Sequence, residues 1–377
     1  MSLPKVAVVG VHGHGGSHLR AVADLEEKGL ARLSAVVDPR EPDDAPASWF
    51  ASLGDLLSAD ADALPDVVVL STPIHTHLPL ARAAMEAGID VLLEKPTSAS
   101  LAEHAELVAV AERTGRLCQV GFQTFGSHAL PAVADMIARG EVGQVTGIGA
   151  VGTWVRTAAY WARSPWAGRR RMGGRAVVDG VVTNPLAHAV ATALWVGGAR
   201  ASTDVAYVNT DLWRANAIEA DDTSSLRAVG TDGTRYGFGL TLCAAQRTPA
   251  RVIVQGTAGE IELEYEHDLV RLRTGRVVAE KQYGRTGLLE NLLVARSAAG
   301  SGERLLCDVR DTGAFMQVLE AVRTAADPAP IGDAFVDWVD ADDARHPVVH
   351  DVAEWCERAA REQRTFTELG APWTGRS

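Results

Sequence analysis

The sequence predicts a two-domain α/β protein: an N-terminal parallel sheet with helices on both faces, then a second domain built on an antiparallel sheet. Three observations predict it. Short Val/Leu-rich runs alternate with amphipathic stretches from Val6 to Val120. After Gly121 the pattern changes to longer alternating runs separated by turn residues. At 377 residues the chain also exceeds what one hydrophobic core organises.

In the first domain, Val6-Ala-Val-Val-Gly10 is an apolar run that ends in glycine. His18 to Lys28 has helical spacing, with Leu19, Val22, Ala23 and Leu25 on one side. Strands are predicted at Leu33–Val37, Asp66–Leu70, Asp90–Glu94 and Leu117–Val120. Helices are predicted over His77–Ala87, closed by Gly88, and Ser100–Thr114, stopped by Gly115. Continuous apolar strands between helices are buried on both faces, which is the signature of a parallel sheet with right-handed crossovers.

In the second domain a helix is predicted at Ala129–Arg139 and a half-exposed strand at Val145–Val155. Alternating runs follow at Ser224–Val229, Arg235–Leu242, Arg251–Gln255, Glu260–Tyr265 and Leu269–Thr274, divided by Thr231-Asp-Gly-Thr and Thr257-Ala-Gly-Glu. Helices are predicted at Asp308–Ala325 and His350–Gln363.

The formal net charge of −12 argues against a nucleic-acid partner, which needs a cationic surface. It leaves room for an anionic cofactor held by a few backbone N–H groups. Cys118, Cys243, Cys307 and Cys356 are scattered without a Cys-x-x-Cys pair, so reduced buried thiols are expected. Val6–Val11 is too short for a signal segment and no run approaches a membrane span, which predicts a cytoplasmic protein without a membrane partner.

The turn after the first strand, Gly10-Val-His12-Gly13-His14-Gly15-Gly16, is where a pyrophosphate would rest on the N-terminus of the following helix. The spacing departs from G-x-G-x-x-G, because His12 stands at the middle glycine. Asp38, at the tip of the second strand, suits the adenosine ribose hydroxyls and favours NAD; Arg40 nearby would suit the extra phosphate of NADP. A loop start at Asp38-Pro39 is the plainer alternative. His12, His14, His18, His75 and His77 are expected to hold no metal, since no cysteine or carboxylate joins them at ligand spacing.

Two more strand tips carry Ser71-Thr72-Pro73-Ile-His75-Thr-His77 and Glu94-Lys95-Pro96. Both fall at the carboxyl ends of parallel strands, the ligand side of such a sheet. A partly desolvated lysine beside a cationic ring can shuttle a proton, whereas a surface Lys95 paired with Glu94 is the structural alternative.

Together these motifs resemble the glucose–fructose oxidoreductase / inositol dehydrogenase / rhizopine-catabolism (Gfo/Idh/MocA) family. Supporting likenesses are Glu141-Val-Gly-Gln-Val145, Asp221-Asp-Thr-Ser-Ser225 and Gln255-Gly-Thr-Ala-Gly-Glu260. The resemblance implies a Rossmann domain over 1–122 and a substrate-binding and oligomerisation domain over 123–377. That second domain would carry a large, open, mainly antiparallel sheet, with the C-terminal helix able to pack back on the first domain. It implies NAD, with NADP as the alternative, and hydride exchange with a carbinol carbon of a sugar, cyclitol or related polyol. A homo-dimer or homo-tetramer through the open sheet is implied as well. The cofactor residues would be Gly10, His12, Gly13, His14, Gly15, Asp38, Arg40, Ser71, Thr72, Pro73, His75, His77, Glu94, Lys95 and Gln123, with Lys95 beside the nicotinamide and Pro96 bending the chain there, often through a cis bond.

Family members with alcohol dehydrogenase chemistry carry Asp-x-x-x-His, the Asp binding substrate and the His acting as acid/base. Here Asp179 matches, but Thr183 stands at the histidine position and cannot accept a proton near neutral pH. Three explanations follow: His188 replaces the missing base; Lys95 takes the proton while Asp179, Thr183 and Asn184 hold substrate; or dehydrogenase activity has been lost. Tyr160, Trp161, Arg163 and Trp166, just upstream, suit stacking and hydrogen bonding to a sugar face. Besides a dehydrogenase, the sequence admits a lyase or hydrolase using transient oxidation by tightly held NAD, or a catalytically inactive NAD(P)-binding regulatory protein.

Overall fold

The computed structural model describes residues 3–43, 45–297, 303–341 and 344–375. They form two compact units, 1–126 with 286–312 and 127–285 with 313–377.

The first unit holds β1 (Lys5–Val9), α1 (Gly15–Glu27), β2 (Arg32–Val37), β3 (Ser48–Phe50), α2 (Leu53–Leu57), β4 (Val67–Leu70), α3 (His77–Glu86), β5 (Asp90–Leu93), α4 (Leu101–Thr114) and β6 (Cys118–Val120). Its six strands lie in the order β3-β2-β1-β4-β5-β6, all parallel. Chain order reverses between β1 and β4, which is where ligands bind in such sheets. Val6, Ala7 and Val8 in β1 and Val67 to Leu70 in β4 have no exposed surface, as expected of strands covered on both faces. Helix α4 starts where predicted, with the Ser100 hydroxyl accepting the Glu103 N–H, and stops at Gly115 in the left-handed region (φ 64°).

The second unit begins with α5 (Ala129–Ala138), β7 (Val145–Thr153), α6 (Ala158–Ala162), the short pair β8 (Arg171–Met172) and β9 (Arg175–Ala176), and α7 (Ala187–Val196). Then come β10 (Val205–Arg214), β11 (Thr223–Gly230), β12 (Arg235–Thr241), β13 (Arg251–Gly256), β14 (Glu260–Glu264), β15 (Leu269–Thr274) and β16 (Val277–Gln282). After α8 (Leu288–Ser297), which lies in the first unit, follow α9 (Gly313–Thr324), β17 (Ala329–Pro330), the hairpin β18 (Val336–Ala341) and β19 (Ala344–Val349), α10 (Val352–Glu362) and α11 (Phe366–Leu369). The nine-stranded sheet runs β16-β15-β14-β13-β7-β12-β11-β10-β17. It is mainly antiparallel, with β7–β12 and β10–β17 parallel.

The continuous second domain expected over 123–377 is interrupted, because 286–312 return to the first unit. Gln119 in β6 makes this favourable: its amide donates to the Leu288 carbonyl (3.0 Å) and Asn291 Oδ1 (2.7 Å) and accepts the Cys307 N–H (2.8 Å). Arg296 on α8 pairs with Asp66 (2.7 Å) and Asp90, both at the amino ends of sheet strands. The helix predicted over Asp308–Ala325 is a 3-10 turn, Val309–Thr312, followed by α9.

The C-terminal helix stays within the second unit. Alternate residues of β7 and β12 are glycines, and α10 lies directly on them: a Cβ on Gly149 would sit 2.6 Å from the Ala360 carbonyl oxygen, and one on Gly239 2.1 Å from that of Cys356. Gly152 points to the other face, against Leu186 ahead of α7. The centre of the sheet is therefore covered on both sides. Toward the β16 edge, Glu262, Arg271 and Glu280 form a cross-strand charge ladder instead of an apolar surface.

Candidate functional site

In the first unit the glycine-rich turn, the β4 tip and the β5 tip stand side by side. Gly10 has φ 82°, and an added Cβ would lie 2.4 Å from the Ser71 carbonyl oxygen, so β1 and β4 meet here with no room for a side chain. Gly15 opens α1 against the Gly10 carbonyl, where a Cβ would sit 1.9 Å away. Gly13 is exposed at φ 73°, with open space above it. Helix α1 has no side-chain cap and no acidic residue in its first turn; the Gly16 and Ser17 N–H groups donate to the Gly13 and His14 carbonyls, and the positive dipole end suits an anion. These residues fit a dinucleotide pyrophosphate.

Asp38 lies at the β2 tip, half-buried, accepting the Val11 N–H (3.1 Å) and the Arg40 N–H (3.0 Å), with His12 Nε2 3.7 Å away. Its carboxylate thereby braces the glycine turn. Arg40 and Pro73 are exposed, and Ser71, Thr72 and His75 are half-buried. The Thr76 hydroxyl donates to Thr72 Oγ1 (2.7 Å), and the Ser71 N–H pairs with the Val9 carbonyl (2.9 Å).

His77, expected to touch cofactor, is instead a buried tie. Its Nδ1 lies 2.9 Å from the Pro96 carbonyl and its Nε2 2.8 Å from the Thr72 carbonyl, joining the β4 and β5 tips. Burial pushes its pKa down. The Lys95–Pro96 bond it supports is cis, and Lys95 itself is half-buried.

Glu94 is also turned inward, with 8% of its surface exposed. Its Oε1 lies 2.9 Å from His18 Nε2, 3.3 Å from His14 Nε2 and 3.2 Å from Gln123 Nε2, while Oε2 accepts the Lys95 N–H (3.1 Å). Burial alone would raise the carboxyl pKa, but the hydrogen bonds from His14 and His18 outweigh it and hold the group well below the usual carboxylate range. The same contact raises His14 above its ordinary value, against its own partial burial. A carboxylate thus joins two of the histidines, which corrects the expectation that none would. His18, one of the five histidines expected to hold no metal, stands four residues from His14 on one helix face, and that spacing is the signal in the chain for their meeting.

In the second unit Asp179 is 3% exposed and fully engaged. It accepts the Gly168 N–H (2.8 Å) and the Asn184 side-chain amide, and pairs with Arg163 (3.1 Å). The Arg163 guanidinium is stacked on Tyr160 (3.7 Å to the ring centroid) and Trp166 (4.8 Å), and Trp161 packs edge-on against Tyr160. Of the residues expected to reach substrate, Tyr160, Trp161, Arg163, Trp166, Asp179 and Asn184 therefore do come together. Asp179, however, holds that loop rather than presenting free oxygens. Thr183 has no exposed surface; its hydroxyl donates to the Val178 carbonyl and accepts the Gly180 N–H (3.2 Å), so it secures a turn in which Val178 takes φ 52°. After Pro185, α7 starts at Ala187, which sets His188 half-buried in its first turn.

Residues 4–122 match the family model described as oxidoreductase family, NAD-binding Rossmann fold. An inositol 2-dehydrogenase of Rhodococcus jostii is 35% identical over 147 residues, 37% of this chain and 39% of that protein. A glycosyl hydrolase family 109 protein of Shewanella baltica is 30% identical over 161 residues, 38% of this chain and 34% of that protein. The chain thus spans well under two thirds of the length of either curated relative. The crystal structure of the WlbA dehydrogenase from Bordetella pertussis, in complex with NADH and UDP-GlcNAcA, superposes with a TM-score of 0.69 at 21% identity, covering 85% of this chain and 95% of that one.

Proposed function

We propose, from the match of residues 4–122 to the family model described as oxidoreductase family, NAD-binding Rossmann fold, that the chain is an NAD-dependent oxidoreductase acting on a carbinol carbon of a sugar, cyclitol or related polyol. The observation that carries this reading is the convergence of the glycine turn, the β4 tip and Glu94-Lys95-Pro96 at the carboxyl end of the parallel sheet, beside its switch point.

When bound, the nicotinamide supplies hydride exchange with the substrate carbon. Gly10, Gly13 and Gly15 give the pyrophosphate close access to the α1 N-terminus, and Asp38 at the β2 tip favours the unphosphorylated ribose of NAD over NADP. Lys95 Nζ takes or returns the hydroxyl proton, its main chain being fixed by the bond from its own N–H to Glu94 and by the seat of Pro96 on His77. His188 is the alternative proton acceptor. Thr183, buried and bonded to main chain, is excluded from that role. The Tyr160–Trp166 loop offers aromatic faces to a polyol. Self-association would use the outer strands β15 and β16, beyond the Arg361–Glu260 pair that ties α10 to β14.

Net NADH formation on a panel of sugars and cyclitols tests the reading. Lys95→Ala should abolish turnover while NAD affinity changes by less than about tenfold. Wild-type rates in that variant would remove Lys95 from the mechanism, and a His188→Gln variant that alone loses turnover would move the proton to His188. A second reading, substrate conversion through transient oxidation by retained NAD, is favoured by the loss of the usual histidine at Thr183 and by the likeness to a glycosyl hydrolase family 109 protein. It predicts product without net absorbance change. Tight NAD binding with no turnover on any substrate would instead indicate a regulatory protein.

A further inference from the structure

We propose that His14, His18 and Glu94 form a binding site for one divalent transition cation of the zinc type. His14 and His18 are four residues apart across the start of α1, so both rings project from one face of the helix. Their planes are nearly perpendicular (89°) with centroids 5.3 Å apart, and both Nε2 atoms point at the same carboxylate oxygen of Glu94.

The separations suit a metal. Zinc binds imidazole nitrogen and carboxylate oxygen at about 2.0–2.2 Å, so tetrahedral neighbours lie about 3.4 Å apart. Glu94 Oε1 is 3.3 Å from His14 and 2.9 Å from His18, and the three ligand atoms lie within 4.8 Å of one another. A small closure around the ion would replace two N–H···O contacts with metal–ligand bonds.

The surroundings suit it as well. Gln123 and the Lys95 N–H hold the carboxylate in place, as outer partners do at metal sites. His18 and Glu94 are buried, while the side chain of His14 is 61% exposed, which leaves an entry path and an open coordination position. Two imidazoles and one carboxylate select zinc, cobalt or nickel over magnesium or calcium, which prefer all-oxygen shells. The other three histidines that meet carboxylates, His12 with Asp38, His267 with Glu264 and His350 with Asp337, join no group of three ligands among the described residues.

The test is cobalt(II) titration of the full chain after chelator treatment and dialysis, followed by visible absorption. One equivalent per chain should give the intense ligand-field bands of four- or five-coordinate cobalt, and zinc should displace them. His14→Gln, at an exposed position, should weaken cobalt binding by more than ~10-fold while thermal unfolding followed by circular dichroism stays as in wild type. His267→Gln serves as a control and should bind cobalt as wild type does. Only the weak spectrum of aqueous cobalt, or equal binding by His14→Gln and wild type, would overturn the proposal.

Discussion

Asp179 is the residue whose role the structure changes most, and its replacement offers a quantitative test. The carboxylate is 3% exposed and accepts the Gly168 N–H at 2.8 Å, the Asn184 amide and the Arg163 guanidinium at 3.1 Å. In Asp179→Ala the Gly168 N–H loses a hydrogen bond to a charged group, an interaction of about 1.5–3 kcal/mol. Breaking a buried ion pair costs about 3–5 kcal/mol when the remaining charge stays buried. The Arg163 side chain is 26% exposed and can turn toward water, so only a fraction of that second cost applies. Unfolding of the second unit should then be easier by roughly 3 kcal/mol.

Arg163→Ala removes the stacking on Tyr160 and Trp166 and leaves the buried Asp179 carboxylate without its cationic partner, so it should destabilise the second unit as well. A double-mutant cycle on urea unfolding, read by tryptophan fluorescence, should show coupling of ~1–2 kcal/mol between the two positions. The reasoning is refuted if Asp179→Ala unfolds within about 0.5 kcal/mol of wild type and shows no coupling to Arg163. The carboxylate would then be free to bind substrate.

Two further predictions concern the first unit. Gly10→Ala places a Cβ 2.4 Å from the Ser71 carbonyl at φ 82°, whereas Gly13→Ala at φ 73° meets nothing within 4 Å. Gly13→Ala should therefore cost only the left-handed strain of about 1–2 kcal/mol, and Gly10→Ala clearly more, with loss of NADH fluorescence enhancement; equal stability in urea would contradict this account. His104 is buried beside the Thr97 hydroxyl (3.2 Å), and burial lowers its pKa to about 4. Because the unfolded chain protonates this imidazole near its ordinary value of 6.5, stability should be fully present above that pH and fall as pH drops toward 4. The loss is on the order of 3 kcal/mol. His104→Gln should flatten the denaturation midpoint over that range, and an unchanged slope would count against burial as the cause.

Local pattern made much of the first unit legible. Strands β1, β4 and β5 are continuous apolar runs because both their faces are covered, and that property is written along the chain itself. Helix α4 was readable from Ser100 and Gly115 for the same reason, since a cap and a left-handed stop act within one turn. The glycine turn, the β4 tip and Glu94-Lys95-Pro96 could be assigned to one end of the sheet, because parallel strands all present their carboxyl ends there. Strand β10 was harder to see: most of its residues are only partly buried, so its alternation is weak. Strand β16 is exposed throughout and carries no burial signal at all.

Tertiary packing alone decided which of the recognised side chains remain available. Glu94 meets a histidine 76 residues away in sequence, and His77 bridges two strand tips through main-chain carbonyls. Asp179 is consumed by its own loop, and Thr183 by a left-handed turn at Val178. Residue type and spacing establish which chemistry a group can perform. Whether its lone pairs and protons are already committed depends on partners brought close by the fold, and those contacts leave no periodic trace in the chain. The sequence by itself determined the dinucleotide-binding architecture and the end of the sheet that carries it. The structure decided that Glu94 and Asp179 are held by the protein's own donors.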